Sequence, residues 1–450
     1  MAHVPDLEAR SPWSEISQYK AVTIHQHKEP MNGSITIPGS KSFTNRALIL
    51  AAFAEGTSRL DGVLRSDDSY FCLEALKSIG VAIEIDGESV VVHGIGGQRL
   101  NQSAELYIGA AGTTARFLPG LLSAHTDVPQ TVRASRRMSE RPVKPLFDVL
   151  EQWGQAVTYE QTPGVYPVKL EAAEFLGGEG TISGKQSSQF ISGLLMAAPA
   201  AKNGVVLNVT DGIVQHAYVK ITIDIMKEHG VNVTYNDDFN RFEVAPQVYQ
   251  PKDYSLEADA STACYFFALA ALHGGTVEVT NMNLDTNQPD IGVLEILETF
   301  GCTVETSGST VKVTGPEQLK GGRTISMKEM SDQALTIAAL VPFCDGPITI
   351  TDVEHIRHHE SDRIQAMTES LTQLGIDITE HQDGWTIHPG QPKAGESLSS
   401  YDDHRIAMSL ALIGTKIEQL TIEDPGSVSK TCPTFFDMLE QFNVRVSRKA

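Results

Sequence analysis

The chain is short of cationic charge, of paired cysteine and of long apolar runs, and each shortage excludes a class of function. Only 35 Lys and Arg stand against 56 Asp and Glu, a formal charge of −21 over 450 residues, which disfavours nucleic acid and anionic membrane surfaces as partners. Any anion the protein binds must be held by local cations. Its five cysteines, Cys72, Cys264, Cys302, Cys344 and Cys432, are odd in number, widely spaced and never in Cys-x-x-Cys order, which fits reduced thiols in a cytoplasm rather than disulfides or zinc. The richest apolar stretch, Phe190 to Ala201, is broken by Ser192 and Pro199 and is too short to span a bilayer. Residues 1–20 have neither the apolar core of a signal peptide nor an Arg-rich transit pattern, and read as an extension.

What the chain does have is repetition. Apolar-acidic runs closing on a glycine recur at Gly80, Gly154, Gly230, Gly301 and Gly375, with Asn443 in the sixth place; these are the two residues that tolerate a left-handed helix cap. The intervals are 74, 76, 71, 74 and 68 residues. A second landmark, a polar or Gly-rich helix start before a small-residue apolar helix, recurs at Ser42, Gly112, Ser187, Ala260, Ser331 and Asp403, at intervals of 70, 75, 73, 71 and 72. Alternating runs such as Val90-Val-Val-His and Thr310-Val-Lys-Val supply strands between them. The helices Ala47 to Ala54, Phe190 to Ala198 and Phe266 to Ala271 are apolar nearly all round and should be buried, with sheets outside. Three units per domain follow, with a boundary near Gln250 to Glu257 and an N-terminal strand, Val22 to His25, that belongs to the second globule.

Several helix starts carry groups suited to anions. Ile37-Pro-Gly-Ser-Lys-Ser-Phe-Thr-Asn-Arg46 opens a helix with Lys41 at its start, Ser40, Ser42 and Thr44 as candidate caps, and Arg46 one turn inside; Ser40 before the lysine excludes a nucleotide P-loop. Gly109-Ala-Ala-Gly-Thr-Thr-Ala-Arg116 is glycine-rich. Arg136-Arg-Met-Ser-Glu-Arg141 concentrates arginine, where a solvated basic patch is the alternative. Gly184-Lys-Gln-Ser-Ser-Gln189 offers hydroxyls and an amide fit for a phosphorylated polyol, or for simple N-capping. Glu360 and Arg363 are three apart, as on one helical face, where a surface ion pair is the inexpensive explanation. His355, His358 and His359 alternate with cations, which argues against a metal. Asp402-Asp-His-Arg405 and Asp424-Pro-Gly-Ser-Val-Ser-Lys430 complete a cation set, Lys41, Arg141, Arg363, Arg405 and Lys430, that is large enough for two anions.

In combination, Pro38-Gly-Ser-Lys-Ser, Ser187-Ser-Gln189, Glu360-Ser-Asp-Arg363 and Asp403-His-Arg405 resemble the 5-enolpyruvylshikimate-3-phosphate synthases over nearly all of residues 22–443. The resemblance implies an α/β fold of two inside-out barrel domains with six βαβαββ repeats, three per domain. One domain would be residues 1–38 plus 258–450, the other the inserted 39–257, with the active site in the cleft between them. It implies transfer of the enolpyruvyl group of phosphoenolpyruvate to the 5-hydroxyl of shikimate 3-phosphate, without metal or organic cofactor, in a cytoplasmic monomer. Asp332, Glu360 and Lys41 would be catalytic. Shikimate 3-phosphate would be held by Lys41, Ser42, Arg46, Ser187, Ser188, Gln189, Asp332 and His359. Phosphoenolpyruvate would be held by Lys41, Gly112, Arg141, Gln189, Arg363, Arg405 and Lys430. The sequence departs from the family pattern at Ala110, where Asn is usual, at Gln215 in place of a serine although Tyr218 is kept, at His355 in place of a common Asn, and at His359 in place of a common lysine. The related nucleotide-sugar enolpyruvyl transferases are disfavoured because their loop cysteine has no counterpart near Arg133 to Arg141. A catalytically dead anion binder is disfavoured because Asp332 and Glu360 are both retained.

Overall fold

The computed structural model describes residues 4–450. The chain divides into two compact units of mixed α/β structure, a continuous one, Gly39–Glu257, and a discontinuous one, Met1–Pro38 with Ala258–Ala450. Among the described residues the strands form six separate four-stranded sheets, three in each unit, and no sheet closes on itself. Each has one parallel pair and two antiparallel ones. In one sheet, for example, Gly178–Ser183 runs parallel to Val205–Thr210, which pairs antiparallel with Arg241–Val244 and that in turn with Thr234–Tyr235. The N-terminal strand Ala21–His25 lies between Gln419–Glu423 and Val446–Lys449, antiparallel to both, and this pairing carries the start of the chain into the discontinuous unit.

Strand burial alternates, as in Ser89–His93, so one face of the sheet is dry and the other wet. Six helices are buried almost throughout: Lys41–Phe53, Thr114–His125 and Ser188–Ala197 in the continuous unit, and Ala260–His273, Ala334–Leu340 and His404–Gly414 in the other. Small residues let these helices approach closely. A Cβ on Gly193 would lie 1.9 Å from the Arg116 carbonyl oxygen, so glycine is what permits Ser188–Ala197 to pack against Thr114–His125.

The second helix class ends alike in all six cases. At Gly80, Gly154, Gly230, Gly301, Gly375 and Asn443 the backbone turns left-handed, with φ from +61° to +103°. The following residue then donates back to a carbonyl five positions earlier, Val81 to Leu76, Val231 to Met226 and Val444 to Leu439 among them. All five cysteines are free and buried. No described helix is long and apolar enough to cross a membrane.

Candidate active site

In the discontinuous unit the site is built around Arg363, the first residue of helix Arg363–Gln373. Trp385 Nε1 donates to the Ile364 carbonyl at 2.9 Å and fixes that first turn. The guanidinium is 1% exposed and serves three carboxylates. Nε donates to Asp403 Oδ2 at 2.8 Å, Nη1 to Asp332 Oδ1 at 2.9 Å and Nη2 to Glu360 Oε2 at 3.0 Å. The far oxygens of the two proposed catalytic acids meet further cations: Arg405 Nη2 is 3.0 Å from Asp332 Oδ2, and Lys430 Nζ is 4.0 Å from Glu360 Oε1. Asp403 caps helix His404–Gly414, accepting from the Arg405 N–H at 2.9 Å and from Ser361 Oγ at 3.0 Å. A single N-cap thereby places Arg405 and anchors Arg363.

Electrostatics follow from this geometry. Burial alone would push the Asp332 carboxyl up, but Arg405 and Arg363 outweigh it and hold the group well below the usual carboxylate range. Burial and the neighbouring Arg363 push the His359 imidazole down to about 3, so it is neutral at neutral pH. His359 Nδ1 lies 3.0 Å from Arg363 Nη1, and its ring stands edge-on to His355, whose Nε2 is 2.8 Å from Ser331 Oγ. The Glu360–Arg363 pair is not a helical-face pair, as their spacing suggests, since Glu360 precedes the helix and the arginine reaches back across its start. Nor is it a surface pair, because Arg363 is buried.

In the continuous unit Lys41 is the first residue of its helix, with Nζ 3.6 Å from Asp68 Oδ2. The hydroxyl capping expected there is not found. Ser40 is the N-cap but makes no side-chain cap bond, and Thr44 Oγ1 accepts from the Leu64 N–H at 3.1 Å. Arg46 lies one turn further along the same helix. It is buried, donates to Thr222 Oγ1 at 2.7 Å, the Ser42 carbonyl at 3.0 Å and the Tyr218 carbonyl at 3.2 Å, and lies over the Phe117 ring. Burial lowers its pKa to about 9, still charged at neutral pH, so it braces the helix start from behind. Gln215 adopts a left-handed backbone, φ +51°.

Gly112, Arg116, Arg141 and Gln189 come together in the same unit. A Cβ on Gly112 would lie 2.9 Å from Arg116 Nη1, 3.2 Å from Arg141 Nη1 and 3.6 Å from Gln189 Oε1. Gln189 Oε1 is buried without a hydrogen-bond partner. Ser187 caps helix Ser188–Ala197, its Oγ accepting from the Gln189 N–H at 3.2 Å, and Ser188 is buried at the first position. Of the arginine-rich run, Arg136 and Arg137 pair with Glu140 at the surface, and only Arg141 turns toward Gly112. Arg116 stands in the glycine-rich motif read from the sequence, whereas the anchoring role of Asp403 was not foreseen; its N-cap position was the available signal.

Comparison with known proteins bears on this arrangement. The family described as EPSP synthase (3-phosphoshikimate 1-carboxyvinyltransferase) matches residues 25–439. A 3-phosphoshikimate 1-carboxyvinyltransferase 2 of Halalkalibacterium halodurans is 51% identical over 442 residues, 98% of each chain. A 3-phosphoshikimate 1-carboxyvinyltransferase of Nostoc punctiforme is 40% identical over 419 residues, 92% of this chain and 97% of its own. Among solved structures, EPSP synthase from Acinetobacter baumannii superposes with a TM-score of 0.80 at 26% identity, covering 96% of this chain and all of that one. With two α/β units, a carboxylate pair on a buried arginine and likeness over nearly its whole length, the chain belongs to the EPSP synthase family.

Proposed function

We propose that the protein transfers the enolpyruvyl group of phosphoenolpyruvate to the 5-hydroxyl of shikimate 3-phosphate and releases phosphate, the sixth step of the shikimate pathway. The observation that carries this reading is the pairing of Asp332 and Glu360 on Arg363, with Arg405 and Lys430 at their other oxygens. In the addition step the 5-oxygen bonds to the central carbon of phosphoenolpyruvate and its proton passes to Asp332, while a protonated Glu360 supplies the methylene carbon, making a methyl group. In the elimination step Glu360 takes a methyl proton back, the bond from carbon to phosphate oxygen breaks, and the proton held by Asp332 goes to the departing phosphate with Lys41 as acid or charge clamp. Protons and charge balance without metal or organic cofactor.

Arg363, Arg405, Lys430, Arg141, Lys41, Gln189 and the backbone at Gly112 take phosphoenolpyruvate. Lys41, Ser42, Arg46, Ser187, Ser188, Gln189, Asp332 and His359 take shikimate 3-phosphate. Each unit is read as an inside-out α/β barrel of three βαβαββ repeats. The protein acts as a cytoplasmic monomer without nucleic-acid partners. The test is phosphate release measured with both substrates: phosphate formed only when shikimate 3-phosphate and phosphoenolpyruvate are both present supports the reading, and none formed overturns it.

A further inference from the structure

Residues 4–18 are folded against the two loops that deliver Arg405 and Lys430, all within the discontinuous unit. The segment forms two short turns, Leu7–Ala9 and Glu15–Gln18, anchored by buried Ala9 and Ile16. Between them Arg10 Nη2 bonds Asp402 Oδ1 and also Asp424 Oδ2, the latter at 2.9 Å, with the arginine side chain only 10% exposed. Both acids sit in left-handed backbone, φ +54° at Asp402 and +49° at Asp424, a conformation that non-glycine residues keep only where their surroundings hold them. Asp402 immediately precedes Asp403, the cap that places Arg405 and anchors Arg363. Asp424 opens the turn Pro425–Lys430, which ends on Lys430.

Further contacts tie the same pieces. The Asp6 N–H donates to Asp402 Oδ2 at 3.0 Å, and the Asp424 N–H donates to the Lys20 carbonyl at 2.9 Å. Ser14 Oγ bonds Ser429 Oγ, next to Lys430. Ser17 packs so closely that a Cβ on Gly426 would lie 2.7 Å from its Oγ. Without Arg10, two carboxylates would face each other in a partly buried site; even beside Arg10, burial holds the Asp424 carboxyl up at about 6.

We propose that Arg10 is a positioning residue: by joining the Asp402 and Asp424 loops it sets the spacing of Arg405 and Lys430 for the carboxylate and phosphate of phosphoenolpyruvate. This rests on the reading that those two cations hold that substrate. A strap that merely added stability would weaken both substrates alike, or neither, whereas a positioning role acts on one.

The test is steady-state kinetics of the full chain carrying Arg10→Ala, Arg10→Lys, Ser14→Ala or Lys430→Ala, alongside thermal unfolding. The expected result for Arg10→Ala is a KM for phosphoenolpyruvate raised roughly tenfold to a hundredfold, the usual consequence of misplacing a binding group by about 1 Å, with the KM for shikimate 3-phosphate within about twofold of the parent. Arg10→Lys, a point charge able to lie between the two acids, should recover part of the loss. Ser14→Ala, which removes the tie to Ser429 without altering charge, should shift the same constant by about threefold and keeps the idea testable if Arg10→Ala does not fold. An unchanged KM for phosphoenolpyruvate in the Arg10 and Ser14 variants beside a raised one in Lys430→Ala overturns the positioning role alone. An equal rise in both constants with a lowered Tm also overturns it, in favour of plain stabilisation. If Lys430→Ala leaves the constant unchanged, the assignment of the cations fails, and the inference with it.

Discussion

Asp332 carries an arginine on each carboxylate oxygen, so its basicity can rise only when a competing anion takes up Arg363 and Arg405. Binding of phosphoenolpyruvate on those two arginines would therefore activate the base at the moment it is needed. Asp332→Ala should lower kcat by roughly a hundredfold or more, the usual weight of a positioned base. Stopped-flow phosphate release measures this, and an unchanged kcat would remove Asp332 from the mechanism. Ala110 lies in the turn ahead of helix Thr114–His125, two residues from Gly112, where the family pattern has a side-chain amide. Restoring that donor with Ala110→Asn should tighten inhibition by glyphosate, a phosphonate mimic of phosphoenolpyruvate, by about ten- to a hundredfold, the worth of one hydrogen bond to a charged ligand. The same inhibition constant in both proteins would show that backbone amides do the binding. At this scale the identities of the acids and cations were legible in short motifs. The inward turn of Arg46 was not, because its partners Tyr218 and Thr222 lie 172 and 176 residues away.

The helix ends are elements whose energetics can be isolated. Gly80 has φ +90°, and a Cβ there would meet nothing within 4 Å, so Gly80→Ala tests backbone conformation with no packing change. It should cost about 1 kcal/mol in urea unfolding, with kcat unaltered. A second test lies at the C-terminal end of helix Ala260–His273. Burial, with Lys416 and His27 nearby, pushes the His273 imidazole down to about 3, and its Nε2 lies 2.8 Å from Thr415 Oγ1. Between about pH 3 and 6.5 the unfolded chain binds a proton at this residue and the folded one does not, so the stability this group contributes is complete above about 6.5 and is lost as pH falls toward 3. His273→Gln, which can keep the bond to Thr415, should recover on the order of 1 kcal/mol of that acid-side loss. Unfolding midpoints that decline equally with pH in both proteins would count against it. His125 and His229, whose imidazoles burial also lowers, add loss of the same sign.

For the whole molecule, the formal charge of −21 and the cation sets are complementary features. An acidic exterior repels large polyanions, while buried arginines and lysines keep a short-range attraction for small ones. The proposed ligands divide between the two units: Lys41, Ser187 and Gln189 in one, Asp332, Glu360 and Arg363 in the other. If shikimate 3-phosphate takes groups from both, as proposed, its binding should draw the domains together. Small-angle scattering should then show a smaller radius of gyration on its addition, and an unaltered profile at saturation would argue against closure.

What the sequence determined by itself was local chemistry repeated in register. Glycine or asparagine is required wherever a helix turns left-handed at its end, so the six ends could be found by inspection, and helices apolar on every side can only be buried. The Lys41, Ser187, Glu360 and Asp403 motifs were legible because each is a contiguous string. Tertiary structure alone decided how those strings meet. Three carboxylates converge on Arg363, with Asp332 31 residues away and Asp403 40 away, and Arg10 reaches acids 392 and 414 residues further along. Salt bridges of that range leave no trace in periodicity or composition, because any of 56 acids could satisfy an arginine and only the packed backbone selects which ones do.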